Sequence, residues 1–154
     1  LGLEDYNLSV IGDYTYNLGQ HSVKLVSVED ENHYQIVFFN NYSEINNEYG
    51  SDDYPEADRL DYSGWEGVGE HSFITLLNID TENMTLEVEN TAELEWSMYR
   101  GSARAYQGNY IASSTGSGQL VELDSDFNVV LEFAMISSGV YSCNKFEIYD
   151  ERED

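Results

Sequence analysis

The clearest pattern in this chain is a series of short apolar–polar alternations between Gly101 and Met135. An alternation with a period of two is typical of β-strands, and clusters of Gly, Asn, Asp and Ser separate the runs. Short gaps of this composition join neighbouring strands as hairpins. The pattern therefore predicts an antiparallel meander of four strands: Ser102–Tyr106, Asn109–Ser113, Gln119–Leu123 and Val129–Ala134.

Earlier parts of the chain also contain strand-like runs, although these are less regular. The turn-forming residues 80–83 separate two of them. No segment has the 3.6-residue period of an amphipathic helix, so the sequence predicts an all-β protein. The runs are Leu8–Ile11, Ser22–Val28, Gln35–Phe39, Ser72–Asn78 and Met84–Glu89, and a further element is predicted over Gly139–Tyr149.

Residues 40–69 differ from the rest of the chain in composition. They are rich in Asn, Asp, Gly and Tyr and contain the only proline, Pro55. Loops of this length are usually functional or disordered. We therefore expect a long acidic loop inserted between two strands.

The four-stranded segment 101–135 has the size of one blade of a β-propeller. A second blade is predicted over residues 18–97, with the long loop inserted, and the residues after 135 begin or close a third. A closed propeller needs roughly four blades or more. We therefore expect residues 1–154 to be a single all-β region, the C-terminal part of a propeller completed by other blades or by another chain.

The net charge of the chain limits the classes of partner that it can bind. It has 30 acidic and 6 basic side chains and a formal net charge of −24. Binding to nucleic acid or to anionic membranes requires clustered Lys and Arg, and here the basic residues are scattered. The sequence contains no run of about 18 apolar residues, which a membrane-spanning helix would require. A solvated acidic surface is favoured over cation binding.

The sequence also gives little indication of a disulfide or a metal-binding site. The single cysteine, Cys143, excludes an internal disulfide and a multi-cysteine metal site. Asp124–Asn128 has the spacing of the first half of a calcium loop, but Val129 stands where such loops require glycine. This segment is therefore interpreted as a hairpin turn, and no metal or cofactor is predicted.

Four segments, in the same order and spacing, resemble the bacterial arylsulfate sulfotransferase family. The first, residues 19–41, contains GQHS at 19–22 and FFNN at 38–41 and is similar to that family's GQH and FDNG pair; another, residues 108–124, is similar to a GNYL blade. Ser72–Asp80 and Val140–Tyr149 occupy the places of two further family strands. The resemblance covers about residues 18–150.

The resemblance implies a six-bladed propeller located outside the cytoplasm: periplasmic, secreted or on the cell surface. Members of the family transfer a sulfuryl group from a phenolic sulfate ester to another phenol, and a histidine carries the group covalently. His21 matches the histidine of the GQH motif and is the candidate catalytic residue, with a structural histidine whose ring hydrogen-bonds a neighbouring strand as its alternative. Asn41 matches the asparagine of the FDNG turn and is the candidate substrate-binding residue, with ordinary turn chemistry as its alternative.

Four features depart from the family pattern. Val140 stands at the position of the nucleophilic histidine, and Ser142 and Phe73 stand at positions of arginines. The family also has an arginine a few residues after its FDNG turn, whereas residues 42–46 contain none. Two hypotheses follow: a sulfuryl transferase in which His21 acts, or a non-catalytic propeller that serves as a binding or structural module. Arg59, Arg100 and Arg104 are expected at the surface, and His33 and His71 are expected to be solvated.

Overall fold

The computed structural model describes residues 8–12, 19–42, 69–98 and 100–135, which contain nine strands and no helix. The all-β prediction is therefore confirmed. The strands are β1 (Ser9–Ile11), β2 (Gln20–Val28), β3 (His33–Asn40), β4 (His71–Asp80), β5 (Thr85–Glu95), β6 (Ser102–Tyr106), β7 (Asn109–Ser114), β8 (Gln119–Leu123) and β9 (Val129–Ala134).

The strands form two sheets. Sheet A has five strands in the order β1-β5-β4-β3-β2, and sheet B has four in the order β6-β7-β8-β9. The strands from β2 to β5 are an antiparallel meander, as are those of sheet B. Strand β1 is the exception, because it pairs with β5 in parallel and places Ser9 opposite Thr85.

The strands of sheet B match the sequence prediction closely because their turns are encoded locally. Gln107 and Gly108 both have positive φ, 50° and 82°. Two such residues make a type I′ turn, whose twist suits a two-residue hairpin between β6 and β7. Asp124 accepts hydrogen bonds from the backbone N–H groups of Asp126 and Asn128. This arrangement is the side-chain-stabilised turn predicted at that position.

The predicted end of β5 is wrong. This strand continues beyond Glu89 to Glu95, through a polar stretch that carries few apolar residues. A register shift opposite Leu76 and Leu77 changes the face to which β5 residues point, so Ala92 and Leu94 face the core. A bulge of this kind breaks the simple period on which the sequence prediction relied.

Sheets A and B pack face to face around one shared core. Phe38 and Phe39 explain the near-continuous apolar run of β3, since consecutive strand residues point to opposite faces. Phe39 faces sheet B, whereas Phe38 packs with Leu77 and Ile79 on the other face of sheet A. The shared core comprises Val37, Phe39, Ile74, Leu76 and Leu94 of sheet A and Ala103, Tyr110, Ala112, Val121, Leu123 and Phe127 from sheet B and its β8–β9 turn.

The two sheets approach most closely where β2 and β6, their first meander strands, lie side by side. Ser22 Oγ donates a hydrogen bond to the Ala103 carbonyl oxygen at 3.4 Å. Gly101, just before β6, lies against the ring of Phe39, and a Cβ at this glycine would be 2.3 Å from two ring carbons. The lack of a side chain at position 101 therefore allows this close approach.

Several predictions concern residues outside the described ranges. Most of the predicted loop 40–69, with Arg59, belongs to this group, as do the element at Gly139–Tyr149 and Cys143. Among the described residues, no helix has the length and apolar character required to cross a membrane.

Candidate functional site

His21 and Asn41 lie at the same end of sheet A, on neighbouring strands. His21 is the second residue of β2 and pairs with Phe39 of β3, and the Asn41 N–H donates to the Gly19 carbonyl oxygen at 3.3 Å. The GQHS and FFNN motifs, which belong to the first of the four segments that carry the family resemblance, are thus hydrogen-bonded to each other. The residues at this end of sheet A, which are 19–22, 40–42, 97–98 and 100–101, are together called the junction.

The His21 side chain is half-buried beside an irregularity in β2. The pairing register shifts between His21 and Lys24, and Ser22 has a φ of 55°. Positive φ is uncommon for a residue other than glycine, and bulges often occur beside active sites, where they redirect a side chain. Within the described ranges, no hydrogen bond to the His21 ring is found.

The pKa of His21 is lowered because partial burial disfavours the charged imidazolium. A histidine with a lowered pKa is neutral at neutral pH, with a lone pair on one ring nitrogen. That protonation state is the one required of a nucleophile or a general base.

Asn41 is fully buried, and its side-chain amide is hydrogen-bonded to the protein backbone. Asn41 Nδ2 donates to the carbonyl oxygens of Ser97, at 2.5 Å, and Arg100, at 2.7 Å. Its Oδ1 atom is buried and has no hydrogen-bond partner within the described ranges. Both N–H bonds of the amide are thus directed at the connection between β5 and β6, so this side chain links the two sheets.

Buried serines extend this polar network across the junction. Ser72 Oγ donates to the Asn41 carbonyl oxygen at 3.2 Å and accepts from the Ser97 N–H at 2.9 Å. Ser97 Oγ accepts from the Gly116 N–H at 2.7 Å, and Ser114 Oγ donates to the Glu95 carbonyl oxygen at 2.6 Å. Sequence reasoning missed these serines because no local pattern distinguishes them from ordinary strand serines.

A second cluster of titratable groups lies at the opposite end of sheet A. His33 Nδ1 lies 2.9 Å from Asp30 Oδ1, and His33 Nε2 lies 3.5 Å from Asp80 Oδ2. His33 and Asp80 are directly opposite each other in the β3–β4 pairing. Hydrogen bonding to Asp30 raises the pKa of His33, because a carboxylate on each side of the ring favours the imidazolium.

The pKa values of both carboxyl groups are lowered. For Asp30 the main cause is the hydrogen bond from the Asn32 N–H, and for Asp80 it is the hydrogen bond from the Asn83 N–H. These bonds stabilise the ionised carboxylates. All three groups are therefore charged together between about pH 4 and pH 6.5.

Replacement of His33 by Gln is expected to cost more stability at pH 5.5 than at pH 8.5. A raised histidine pKa contributes stability that is fully present below the unfolded-state pKa and is lost as the pH rises through the folded-state pKa. Urea unfolding of the wild type and of H33Q at both pH values measures this difference. His21 titrates in both proteins, so its contribution cancels. An equal cost at the two pH values would contradict the charge assignment.

A cleft of about 480 Å³ adjoins this cluster at the end of sheet A. Carboxylates of Glu29, Asp80 and Glu87 line it, together with the rings of His33 and Tyr34. His21 and Asn41 do not line the cleft. No group of three or more His, Cys, Asp or Glu residues that could hold a metal ion is found in the part of the chain that the structure describes.

The remaining charged residues that the sequence singled out have ordinary environments. His71 Nδ1 lies 3.0 Å from Glu93 Oε1 at the exposed start of β4. Arg100 is exposed and Arg104 is half-buried on β6. Arg100 nevertheless lies at the junction with His21 and Asn41, where its carbonyl oxygen accepts a hydrogen bond from Asn41 Nδ2. Comparison with known proteins finds no matching family model, no matching curated protein and no matching solved structure.

Proposed function

We propose that this chain forms adjacent blades of a β-propeller with sulfuryl-transfer activity, and that His21 takes the role of nucleophile, because Val140 stands at the position of the family's nucleophilic histidine. Two consecutive antiparallel meanders that pack face to face, with their first strands side by side, support the propeller architecture. In such an architecture the first strands line the centre, where His21 on β2 would meet a substrate.

The proposed catalytic role of His21 rests on the burial, pKa and hydrogen bonding of its imidazole ring. It is half-buried, its pKa is lowered by burial, and no hydrogen bond to the ring is found within the described ranges. A neutral ring with an uncommitted nitrogen is a competent nucleophile near neutral pH.

The proposed reaction has two steps. In the first, the unprotonated ring nitrogen of His21 forms a bond to the sulfur of a phenolic sulfate ester, and the bond between sulfur and the phenolic oxygen breaks. The first phenol leaves with that electron pair as a phenolate. In the second step, the oxygen of an acceptor phenol bonds to sulfur, the S–N bond breaks, and the acceptor proton passes to solvent or to the released phenolate.

Substitution of His21 by Gln is expected to lower the release of nitrophenol from 4-nitrophenyl sulfate, with phenol as acceptor, by about 100-fold or more. Gln preserves polarity and approximate size but provides no nucleophilic nitrogen. His33→Gln and His71→Gln are matched controls, because they replace the other two histidines, each of which lies beside a carboxylate. The absorbance of nitrophenolate measures the rate of release by the wild type and by each of the three variants. Equal turnover by wild type and H21Q would remove His21 from the mechanism.

A non-catalytic binding or structural module is the second candidate, and the environment of Asn41 favours it. Both N–H bonds of this amide are used by the carbonyl oxygens of Ser97 and Arg100, which leaves no amide donor for a sulfate ester. Absence of turnover by the folded wild-type chain would support this candidate over the transferase.

A further inference from the structure

The outer edge of sheet B has an unusual composition for an exposed strand. β9 pairs with β8 on one side, and no described residue pairs with its other side. Val129, Val130, Leu131, Phe133 and Met135 are 40–59% exposed. Proteins usually protect such edges with Lys, Pro or a bulge directed outward. β9 contains neither Lys nor Pro, Glu132 is its only charged residue, and its register shift lies at Val130, before the regularly paired stretch 131–134.

The pattern of hydrogen bonds identifies which backbone groups of β9 point outward. The Met135 N–H donates to the Gly118 carbonyl oxygen at 2.9 Å. Because bonded and non-bonded pairs alternate along an antiparallel ladder, the polar backbone groups of Phe133 and Leu131 point toward β8. Those of Glu132 and Ala134 therefore point away from the sheet.

The side chains of β9 are segregated by face in the same way. Leu131 is opposite Glu122, and Phe133 is opposite Leu120, on the face turned away from sheet A. Glu132 is opposite Val121, a residue of the core shared with sheet A, and therefore lies on the other face. Gln119 Nε2 donates to Glu132 Oε1 at 2.8 Å, which holds the carboxylate at the surface without neutralising it.

We propose that β9 binds an extended segment of a partner protein in which apolar and basic residues alternate. The segment would extend sheet B by hydrogen bonds to the Glu132 and Ala134 backbone. Its apolar side chains would cover Leu131 and Phe133, and its Lys or Arg side chains would meet Glu132. This inference is independent of the proposed sulfuryl transfer.

Sheet A provides a precedent within the same molecule. Its outer strand, β5, accepts the three-residue strand β1 at the corresponding edge. Strand β1 is short and apolar, like the segment proposed to pair with β9, and its last two residues are Val10 and Ile11. The outer edges of these sheets are therefore geometrically able to accept an added strand.

Charge selects a basic partner rather than a second copy of this chain. Two copies would each carry a formal charge of −24. An antiparallel pairing of two β9 strands about a central two-fold axis would also bring the two Glu132 carboxylates close together, and like charges on facing strands are destabilising. Asp124 and Asp126, in the turn before β9, add to the negative potential at this edge.

A fluorescent peptide of three Val-Lys repeats tests the proposal by anisotropy at physiological salt. A peptide of identical composition with the valines and lysines in separate blocks is its control. We expect the alternating peptide to bind at least tenfold more tightly. Equal affinities would show attraction by net charge alone and would overturn the proposal.

Three variants locate the binding edge. Ala134→Pro removes an outward N–H without removing a bond to β8, and is expected to weaken binding about tenfold or more. Near-ultraviolet circular dichroism and urea unfolding of A134P verify that it folds. Glu132→Lys should weaken binding of the Val-Lys peptide and favour a Val-Glu peptide. Glu82→Lys makes the same charge change in the exposed β4–β5 turn and should have little effect.

Amide hydrogen exchange of the chain without peptide completes the test. We expect fast exchange at Glu132 and Ala134 that becomes slow when the alternating peptide is added. Slow exchange at every chain concentration would show that the edge is already covered within the molecule. Protection that increases with chain concentration would identify a second copy as the occupant. Either result, or equal weakening by E132K and E82K, would overturn the proposal.

Discussion

Replacement of Gly101 by Ala is expected to destabilise the protein by about 3 kcal/mol or more. The new Cβ would lie 2.3 Å from Phe39 Cδ1 and Cε1, and φ at this position is +124°, where L-residues are strained. Phe39 is completely buried in the shared core, so its ring has no free space into which to move. The sheets would therefore have to separate. Urea unfolding of the variant measures the loss.

Gly108→Ala is the matched control for this prediction. Gly108, in the β6–β7 turn, also has a positive φ, +82°, but a Cβ added there would have no atom within 4 Å. This variant should therefore lose only the conformational part, about 1–2 kcal/mol. Phe39→Leu in the Gly101→Ala background should restore part of the loss, because a smaller side chain relieves the contact. Equal losses for G101A and G108A would contradict the proposed close approach.

Asn41→Ala is expected to cost about 2–4 kcal/mol, because two buried carbonyl oxygens lose the donor that Asn41 Nδ2 provides. Asn41→Asp should cost more, since a carboxylate oxygen would then face the Ser97 and Arg100 carbonyl oxygens. Asn128→Ala is the control at an exposed asparagine whose Nδ2 bonds Asp124, and should cost less than about 1 kcal/mol.

The Asn41 variants also separate a structural role from substrate binding. Urea unfolding reports the structural role, and the KM for 4-nitrophenyl sulfate reports binding. We expect a large loss of stability in both N41A and N41D. If either variant unfolded at the same urea concentration as the wild type, the Asn41 amide would have no structural role at the junction.

The sequence was sufficient for features that depend on neighbouring residues. The strands of sheet B and the short hairpin connections between them follow from the sequence because strand period and turn chemistry are local properties. The end of β5 could not be predicted from the sequence, because Ala92 and Leu94 reach the core only through a register shift in the pairing of β5 with β4. That shift is a property of the paired strands and leaves no signal in β5 alone.

The same distinction applies to the candidate sites. His21 and the FFNN segment were selected by motif, and the structure places them on paired strands. The pairing of His33 with Asp80 depends on the β3–β4 register, across 47 positions of the sequence (80 minus 33). The bonds from Asn41 to Ser97 and Arg100 depend on contact between the sheets. Interactions of this kind require the fold before they can be recognised.

The parallel pairing of β1 with β5 has a consequence for the order of assembly. Ser9 meets Thr85, so the chain between them must close a loop of about 75 residues for three residues of pairing. Strands β6 to β9 require only short hairpin closures. Low contact order favours rapid folding of such meanders. Strand β1 can join only after β5 has formed, which makes its docking a late step in folding.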